Sequence, residues 1–233
     1  MTTTLITGAN KGLGFEAARR LTGLGHTVLL GARDPQRGRE AAVALGARFV
    51  QVDVADDASV AAAAADVTEH EGRLDVLVNN AAIPGSYAPA QKITGPDAAD
   101  VYTTNVAGII RMTHAFLPLL RRSPSPVIVN VTSGVGSFAR TQDPERTEGR
   151  GALAMPIYAS SKAAVNMLTA QYARALPDVR INAADPGFTA TDFNGHHGTQ
   201  TLAEGTDAIV ELATIGPDGP TGVLRDRFGA VEW

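Results

Sequence analysis

The sequence contains no cysteine among its 233 residues. Disulfide bonds, thiolate metal sites and a cysteine nucleophile are therefore excluded. An excess of basic residues is also absent, since the formal net charge at pH 7 is −4. General nucleic-acid-binding proteins usually present a basic face, so we expect no nucleic-acid partner.

Long apolar runs are absent as well. No stretch of about 18 apolar residues occurs, so we expect neither a membrane-spanning helix nor a membrane partner. The first predicted strand begins at Thr3, and we therefore expect no signal peptide ahead of it. These features together predict a cytoplasmic protein.

The chain instead alternates short apolar segments, which predict strands, with segments of helical periodicity. The predicted strands cover residues 3–7, 26–31, 48–52, 74–79, 127–131, 179–184 and 222–225. The predicted helices cover residues 12–24, 35–45, 60–70, 98–120, 157–175 and 201–213. Strands that are apolar on both faces belong in a parallel sheet covered by helices. With no linker or internal repeat, this predicts one α/β domain, residues 1–233, with a doubly wound, Rossmann-type sheet.

A glycine-rich segment, TGANKGLG, joins the first predicted strand to the first helix. Glycines permit a tight turn and a close approach of the backbone to a pyrophosphate, and a helix start offers free N–H groups to an anion. A purely structural strand-to-helix turn is the alternative, but the strand–turn–helix context favours a dinucleotide site. The residues assigned to the cofactor here are Gly8, Asn10, Lys11, Gly12, Leu13 and Gly14.

Together with NNA at residues 79–81, YASSK at residues 158–162 and PG at residues 186–187, this loop resembles the classical short-chain dehydrogenase/reductase family. The motifs follow the family's order over nearly the whole chain. The resemblance implies an enzyme that transfers hydride between a nicotinamide cofactor and a small-molecule carbonyl or alcohol.

The end of the second predicted strand indicates which nicotinamide cofactor is used. NAD-binding sheets usually place an acid there for the ribose 2′-hydroxyl, but the matching residue is Ala32, followed by Arg33. A guanidinium suits a 2′-phosphate, and Lys11 is placed to reach the same group. We therefore predict NADP(H). Two alternatives remain: Asp34 pairs with Arg33, or both cations are solvated surface charges.

The resemblance implies further contacts with the cofactor. Asp53 and Val54 would hold the adenine ring, although an N-cap role is the alternative for Asp53 and is favoured for Asp56. Asn79 and Ala81 would contact a ribose, while Asn80 would brace the sheet. The residues expected around the nicotinamide are Pro186, Gly187, Thr189 and Thr191.

Tyr158 and Lys162 are four residues apart, so on a helix they share one face. By resemblance, Tyr158 is the general acid/base and Lys162 also holds the nicotinamide ribose. Because a neighbouring ammonium stabilises tyrosinate, we expect the pKa of Tyr158 to fall toward the working pH.

Two further residues complete the predicted reaction centre. Ser133 follows the fifth predicted strand and would hydrogen-bond the substrate carbonyl, with Thr132 and Ser137 as nearby competitors. Asn105 resembles the family's helix asparagine, which kinks its helix and holds a water that relays protons to the lysine. The alternative, a buried amide satisfied by backbone groups, is compatible with that role.

A polar stretch, residues 139–151, lengthens the separation between Ser133 and Tyr158 beyond what the family usually shows. Some carbonyl-reductase-like and retinol-dehydrogenase-like members carry an insertion there. We expect it to overhang the substrate site or cover the helix near Tyr158, which favours a monomer or homodimer over a tetramer.

Two alternatives to this enzyme are a metal-binding protein and a regulatory protein. His196 and His197 are adjacent but lack the spacing of metal ligands, so we predict no metal site. A regulatory protein that senses NADPH on the same fold, without turnover, is the rival function. The complete Asn–Ser–Tyr–Lys set favours the enzyme.

Overall fold

A computed structural model describes residues 1–143 and 155–233. Its strands are β1 Thr3–Ile6, β2 Thr27–Ala32, β3 Arg48–Gln51, β4 Val76–Asn79, β5 Val127–Val131, β6 Arg180–Ala184, β7 Leu224–Asp226 and β8 Gly229–Val231. They form one sheet in the order β3-β2-β1-β4-β5-β6-β7-β8. All neighbours pair in parallel except β7 and β8, which are antiparallel. The predicted doubly wound, Rossmann-type sheet is confirmed.

Helices cover both faces of this sheet. They are α1 Gly12–Gly23, α2 Pro35–Leu45, α3 Asp57–His70, α4 Gly95–Tyr102, α5 Gly108–Leu120, α6 Phe138–Gln142, α7 Pro156–Ala175, α8 Leu202–Gly205 and α9 Asp207–Ala213. One hydrophobic core joins α1, α2 and α9 to the sheet, and a second joins α3, α5 and α7 to its other face. No helix of the described ranges is long and apolar enough to cross a membrane.

Strand β5 shows why the central strands lack an alternating pattern. All five of its residues are buried. Val127 and Val129 belong to the core under α1, α2 and α9, whereas Ile128 belongs to the core under α3 and α5. A strand buried on both faces reads as a continuous apolar run.

The predicted helix over residues 98–120 is in fact two helices separated by a π turn, Thr103–Ala107. The first begins earlier, at Gly95, because Thr94 and Asp97 form a capping box ahead of it. Similarly, α3 begins at Asp57 rather than at residue 60, since the Asp56 carboxylate accepts a hydrogen bond from the backbone of Ser59 at 2.6 Å. The N-cap role expected of Asp56 is thus confirmed.

Two elements were not predicted. Helix α6 lies in the stretch interpreted as an exposed loop, of which residues 144–151 lie outside the described residues. Backbone carbonyls of Glu232 and Trp233 hold α6, accepting hydrogen bonds from Ser137 Oγ at 2.7 Å and from the Ala139 amide at 3.4 Å. Strand β8 is three residues long and pairs with β7 in a hairpin whose turn is Arg227 and Phe228. Helix α6 depends on contacts with residues 232 and 233, which local patterns do not reveal, and a strand as short as β8 carries little periodicity of its own.

Candidate active site

A cavity of about 1990 Å³ lies at the carboxyl ends of strands β1 to β6. Open parallel sheets bind their ligands at this edge. Most of the predicted site residues line it: Gly8, Asn10, Lys11, Gly12, Leu13, Gly14, Arg33, Asp53, Val54, Ala81, Ser133, Tyr158, Lys162, Pro186, Gly187, Thr189 and Thr191. Its volume exceeds that of common small-ligand pockets, which span about 300–1,000 Å³, so it accommodates a dinucleotide together with a substrate.

The glycine-rich loop forms one end of this cavity. Gly8 and Gly12 have φ angles of 64° and 58°, a region that favours glycine. A Cβ at Gly14 would lie 2.5 Å from Asn80 Nδ2 and 2.7 Å from the Gly8 carbonyl oxygen, so only glycine fits. Lys11, the N-cap of α1, provides no side-chain cap for the first N–H groups of the helix. These groups remain available to an anion, and the loop fits a pyrophosphate.

The two asparagines at the end of β4, Asn79 in the strand and Asn80 directly after it, make contacts that differ from those expected. Asn79 points into the sheet, where its Nδ2 donates to Asn130 Oδ1 at 2.9 Å, and it does not line the cavity. The expected ribose contact of its side chain is therefore not supported. Asn80 Nδ2 donates to the carbonyl oxygens of Thr7 at 2.8 Å and Gly8 at 3.2 Å, so Asn80 braces the glycine-rich loop.

The cations expected near a 2′-phosphate differ in their surroundings. Arg33 is exposed at the cavity edge, and its side chain has no hydrogen bond or ion pair within the described residues. Asp34 does not pair with Arg33, because its Oδ1 accepts from the backbone amides of Gln36 and Arg37, both at 3.0 Å, and caps α2. The alternative in which Asp34 neutralises Arg33 is thus wrong.

Lys11 forms an ion pair with a residue of the segment after β6, which also lines the cavity. Its Nζ donates to Asp192 Oδ2 at 2.9 Å, and His196 Nε2 lies 2.9 Å from Asp192 Oδ1. All three side chains are more than half exposed. Exposed pairs of this kind are worth at most about 1 kcal/mol, so a bound anion can compete for Lys11.

Asp53 remains free to face the cavity at the end of β3. Its Oδ1 accepts from the amide of Ala55 at 3.0 Å, and its own amide donates to Ser59 Oγ at 2.9 Å. The cap of α3 is Asp56, not Asp53. The carboxylate is therefore held in place by local bonds while it borders the cavity.

The predicted reaction centre is assembled on α7 and the loop after β5. Tyr158 hydrogen-bonds Ser133, and Lys162 Nζ lies 5.6 Å from the centroid of the tyrosine ring. Lys162 Nζ also donates to the Val131 carbonyl oxygen at 2.8 Å. The Phe193 ring packs against Tyr158 with 5.3 Å between centroids. Tyr158, Ser133 and Lys162 thus face one cavity.

The competitors of Ser133 are occupied elsewhere. Thr132 Oγ1 donates to Asn166 Oδ1 at 2.6 Å in the protein interior. Ser137 Oγ donates to the Glu232 carbonyl oxygen and accepts from the amide of Arg140 at 3.1 Å. Ser133 is the one of the three that meets Tyr158 at the cavity.

The pKa values of Tyr158 and Lys162 differ from the expectation. Burial raises the pKa of Tyr158 above its usual value, the charge of Asp185 raises it further, and the hydrogen bond from Ser133 opposes both effects. The expected fall in this pKa is therefore wrong for the protein without cofactor, because burial disfavours tyrosinate. Burial also lowers the pKa of Lys162 to about 8, and Asp185 opposes that change.

Asn105 lies in the π turn and behind the cavity wall. Its Oδ1 accepts from the amide of Ile83 at 2.9 Å, and its Nδ2 donates to the Ile83 carbonyl oxygen at 3.0 Å and to Ser161 Oγ at 3.1 Å. The side chain is satisfied by these groups, as the alternative interpretation held. It ties the segment after β4 to the helix that carries Lys162.

The segment after β6 borders the other side of the reaction centre. Gly187 has a φ of 65°, and Thr189 Oγ1 donates back to the Pro186 carbonyl oxygen at 2.8 Å. Thr191 Oγ1 accepts from the amide of Phe193 at 3.2 Å. The backbone of this segment is thereby held in one shape along the cavity.

Sequence reasoning missed one cluster of charges. Asp185, at the end of β6, is 2% exposed and bonds Arg140 Nη1 at 2.7 Å, while Arg140 also pairs with Asp226. An acid that directly follows a buried apolar strand was the available signal, since a buried carboxylate requires a partner. Within residues 1–143 and 155–233, no three potential ligand side chains gather as a metal site.

Comparison with known proteins defines the family. Residues 2–201 match the model of the short chain dehydrogenase family. The chain belongs to this family. It is therefore an oxidoreductase on a Rossmann-type fold.

Similar proteins span nearly the whole chain. A short-chain dehydrogenase, anuI, of Penicillium roqueforti (strain FM164) is 39% identical over 223 residues, which cover 91% of this chain and 88% of that protein. A (+)-neomenthol dehydrogenase of Arabidopsis thaliana is 33% identical and covers 98% of this chain and 97% of its own. The NADPH-bound carbonyl reductase from chicken fatty liver superposes with a TM-score of 0.88 at 28% identity and covers 100% of this chain and 99% of its own.

Proposed function

We propose that the protein is an NADP(H)-dependent oxidoreductase that reduces a ketone or aldehyde to an alcohol, or catalyses the reverse reaction, with Tyr158 as general acid/base. One observation carries the proposal: Tyr158, Ser133 and Lys162 face the same cavity as the glycine-rich loop. A cofactor held at that loop and extended along the cavity reaches all three groups.

When bound, the reduced nicotinamide supplies the hydride that attacks the carbonyl carbon. The Ser133 hydroxyl hydrogen-bonds the carbonyl oxygen, and Tyr158 transfers its proton to that oxygen as negative charge develops. The raised pKa of Tyr158 keeps the proton on the phenol at neutral pH, which suits the acid role in reduction. Lys162, with a pKa of about 8, is mostly an ammonium at pH 7 and stabilises the resulting tyrosinate.

The preference for NADP(H) is supported by the exposed Arg33 at the cavity edge. Its guanidinium has no partner within the described residues, and the matching acid of NAD-binding sheets is replaced by Ala32. Lys11 lines the same cavity and is held there only by its exposed pair with Asp192 among the described contacts. The NADPH-bound carbonyl reductase of similar fold supports the same choice.

The proposal is tested with a panel of aldehydes, ketones and quinones, by following NADPH absorbance. We expect turnover of at least one compound, and Tyr158→Phe should remove most of it while NADPH still binds, because the phenol proton is lost but the cavity is kept. Near-normal activity of Tyr158→Phe would contradict the mechanism. Tight NADPH binding without oxidation across the panel would favour the sensing regulator instead.

We also propose a cytoplasmic monomer or homodimer, in which residues 139–151 overhang the substrate site or cover the start of α7. The support is the length of that stretch and the position of α6, which lies beside the reaction centre through Arg140. A small-molecule carbonyl or alcohol is the proposed partner.

A further inference from the structure

A cluster of buried charges lies beside the proposed reaction centre and borders the same cavity. Asp185 closes β6, Asp226 closes β7, and Arg140 lies on α6. Arg140 bonds both carboxylates and has a side chain that is 17% exposed. Three segments far apart in the chain are thus joined by one guanidinium.

The Asp185 carboxylate binds more than Arg140. Its Oδ1 accepts from the amide of Gly187 at 2.9 Å, and its Oδ2 lies directly against Gly134. Gly134 follows Ser133, and Gly187 lies in the segment proposed to meet the nicotinamide. One carboxylate therefore connects the loops on both sides of Tyr158.

The fit at Gly134 shows how close this contact is. A Cβ at that position would lie 2.7 Å from Asp185 Oδ2 and 3.0 Å from Arg140 Nη1. Only a glycine allows the serine loop to approach the ion pair this closely. The loop and the charge cluster are therefore one packed unit.

We propose that Asp185 is a positioning residue for the reaction, whose carboxylate locks the loop of Ser133 against the segment that begins at Pro186 and sets the electrostatic field at Tyr158 and Lys162. This inference rests on the proposed function. Asp185 acts through Ser133, Tyr158 and Lys162. Burial raises the pKa of the Asp185 carboxyl, and the amide of Gly187 and the charge of Arg140 oppose that change.

The field follows from the charges around the tyrosine. Within the described residues, the groups near it are Asp185 on β6, Lys162 on the same helix, Ser133 after β5, Tyr87 after β4, and Arg140 and Asp226 behind Asp185. The negative charge of Asp185 disfavours tyrosinate and favours the ammonium of Lys162. Asp185 raises the pKa of both groups.

The test is Asp185→Asn, which keeps the size of the side chain but removes its charge. Loss of a negative charge lowers the pKa of both neighbours, so we expect the whole pH profile of turnover to move to lower pH by about one unit. We also expect kcat to fall about tenfold or more, with NADPH affinity within about twofold of the unmodified protein, since the glycine-rich loop is untouched.

Asp226→Asn is the matched control. It removes a second buried carboxylate from the same Arg140, but Asp226 has no bond to Gly134 or Gly187 among the described contacts. Its pH profile should keep its midpoint. An unchanged profile and kcat in Asp185→Asn, or equal shifts in both variants, would overturn the proposal.

Two further measurements keep the outcome decisive. If Asp185→Asn does not fold, Gly134→Ala is tested instead. The added methyl separates the loop of Ser133 from Asp185 while all charges remain. A normal kcat in this variant would refute the proposal that Asp185 holds that loop in place. Tyrosinate absorbance, taken as a difference from Tyr158→Phe, follows Tyr158 without turnover. If the unmodified protein reduces no carbonyl, the proposed function fails. The role of Asp185 is tested separately by the tyrosine titration, and an unshifted titration in Asp185→Asn would refute it.

Discussion

Replacing Gly14 with alanine tests whether the glycine-rich loop has the tight packing that a pyrophosphate site requires. The new Cβ would lie 2.5 Å from Asn80 Nδ2, 2.7 Å from the Gly8 carbonyl oxygen and 2.9 Å from Ala9 Cα. Two of these three atoms belong to the backbone, so rotation of a side chain cannot relieve the contact. The loop itself must move away from α1.

The size of the effect follows from these contacts. Overpacking a close-packed site costs about 1–3 kcal/mol. Asn80 Nδ2 must also shift, and loss of one of its two bonds to the loop adds about 1 kcal/mol. We expect Gly14→Ala to lower the free energy of unfolding by about 2–4 kcal/mol. Because the same displacement moves the backbone that would meet the pyrophosphate, NADPH should also bind more weakly; a binding cost of about 1.4 kcal/mol corresponds to a tenfold loss of affinity.

Gly23→Ala in the same helix is the control. A Cβ at Gly23 meets nothing within 4 Å, and alanine is favoured over glycine in a helix by about 0.5–1 kcal/mol. Urea unfolding gives the stability of each variant, and fluorescence titration gives its affinity for NADPH. If Gly14→Ala unfolds and binds NADPH like Gly23→Ala, the packing argument is refuted.

Two further predictions concern the cofactor and the assembly. Arg33→Ala should weaken NADPH much more than NADH in the same titration, because only NADPH carries the 2′-phosphate; equal losses would contradict the assignment. Light scattering should give a mass of one or two chains, since residues 139–151 are proposed to overhang the substrate site or cover the start of α7, and a mass of four chains would exclude this.

The sheet could be predicted because its strands and helices carry local signals. Strand β5 has four β-branched apolar residues out of five, and α2 begins at Pro35 directly after its N-cap Asp34 and ends at a glycine with a φ of 62°. The glycine-rich loop can be predicted for a similar reason, since φ angles above zero favour glycine at Gly8 and Gly12, and the lack of room for a Cβ requires it at Gly14. Such features are determined within a few residues.

The two asparagines at the end of β4 show where this reasoning fails. Asn79 and Asn80 are neighbours in the chain, and neighbouring residues of a strand point to opposite sides. Which of them meets the cavity depends on the exact residue at which β4 ends, and sequence patterns do not fix strand ends that closely. The structure places Asn79 against Asn130 and Asn80 against the glycine-rich loop.

The pKa of Tyr158 was mispredicted for another reason. The sequence showed the lysine four residues away but not the extent of burial or the carboxylate of Asp185, which is 27 positions later in the chain. Burial and the charge of Asp185 both raise the pKa of Tyr158, against the fall expected from the ammonium. Charges brought together by folding cannot be read from spacing within one helix.

The π turn between α4 and α5 changes the direction in which the side chains after it point. An extra residue in a helical turn rotates everything after it by about 100°, given 3.6 residues per turn. Helix α4, before the turn, buries Val101 and contacts α7, whereas Met112 and Phe116, after the turn, enter the core beneath the sheet with α3. The rotation lets α4 pack on α7 while α5 packs in the core with α3, which a regular helix of the same length would not do. Adding or removing a residue in this stretch would undo the arrangement, so its length is constrained even where its surface is exposed.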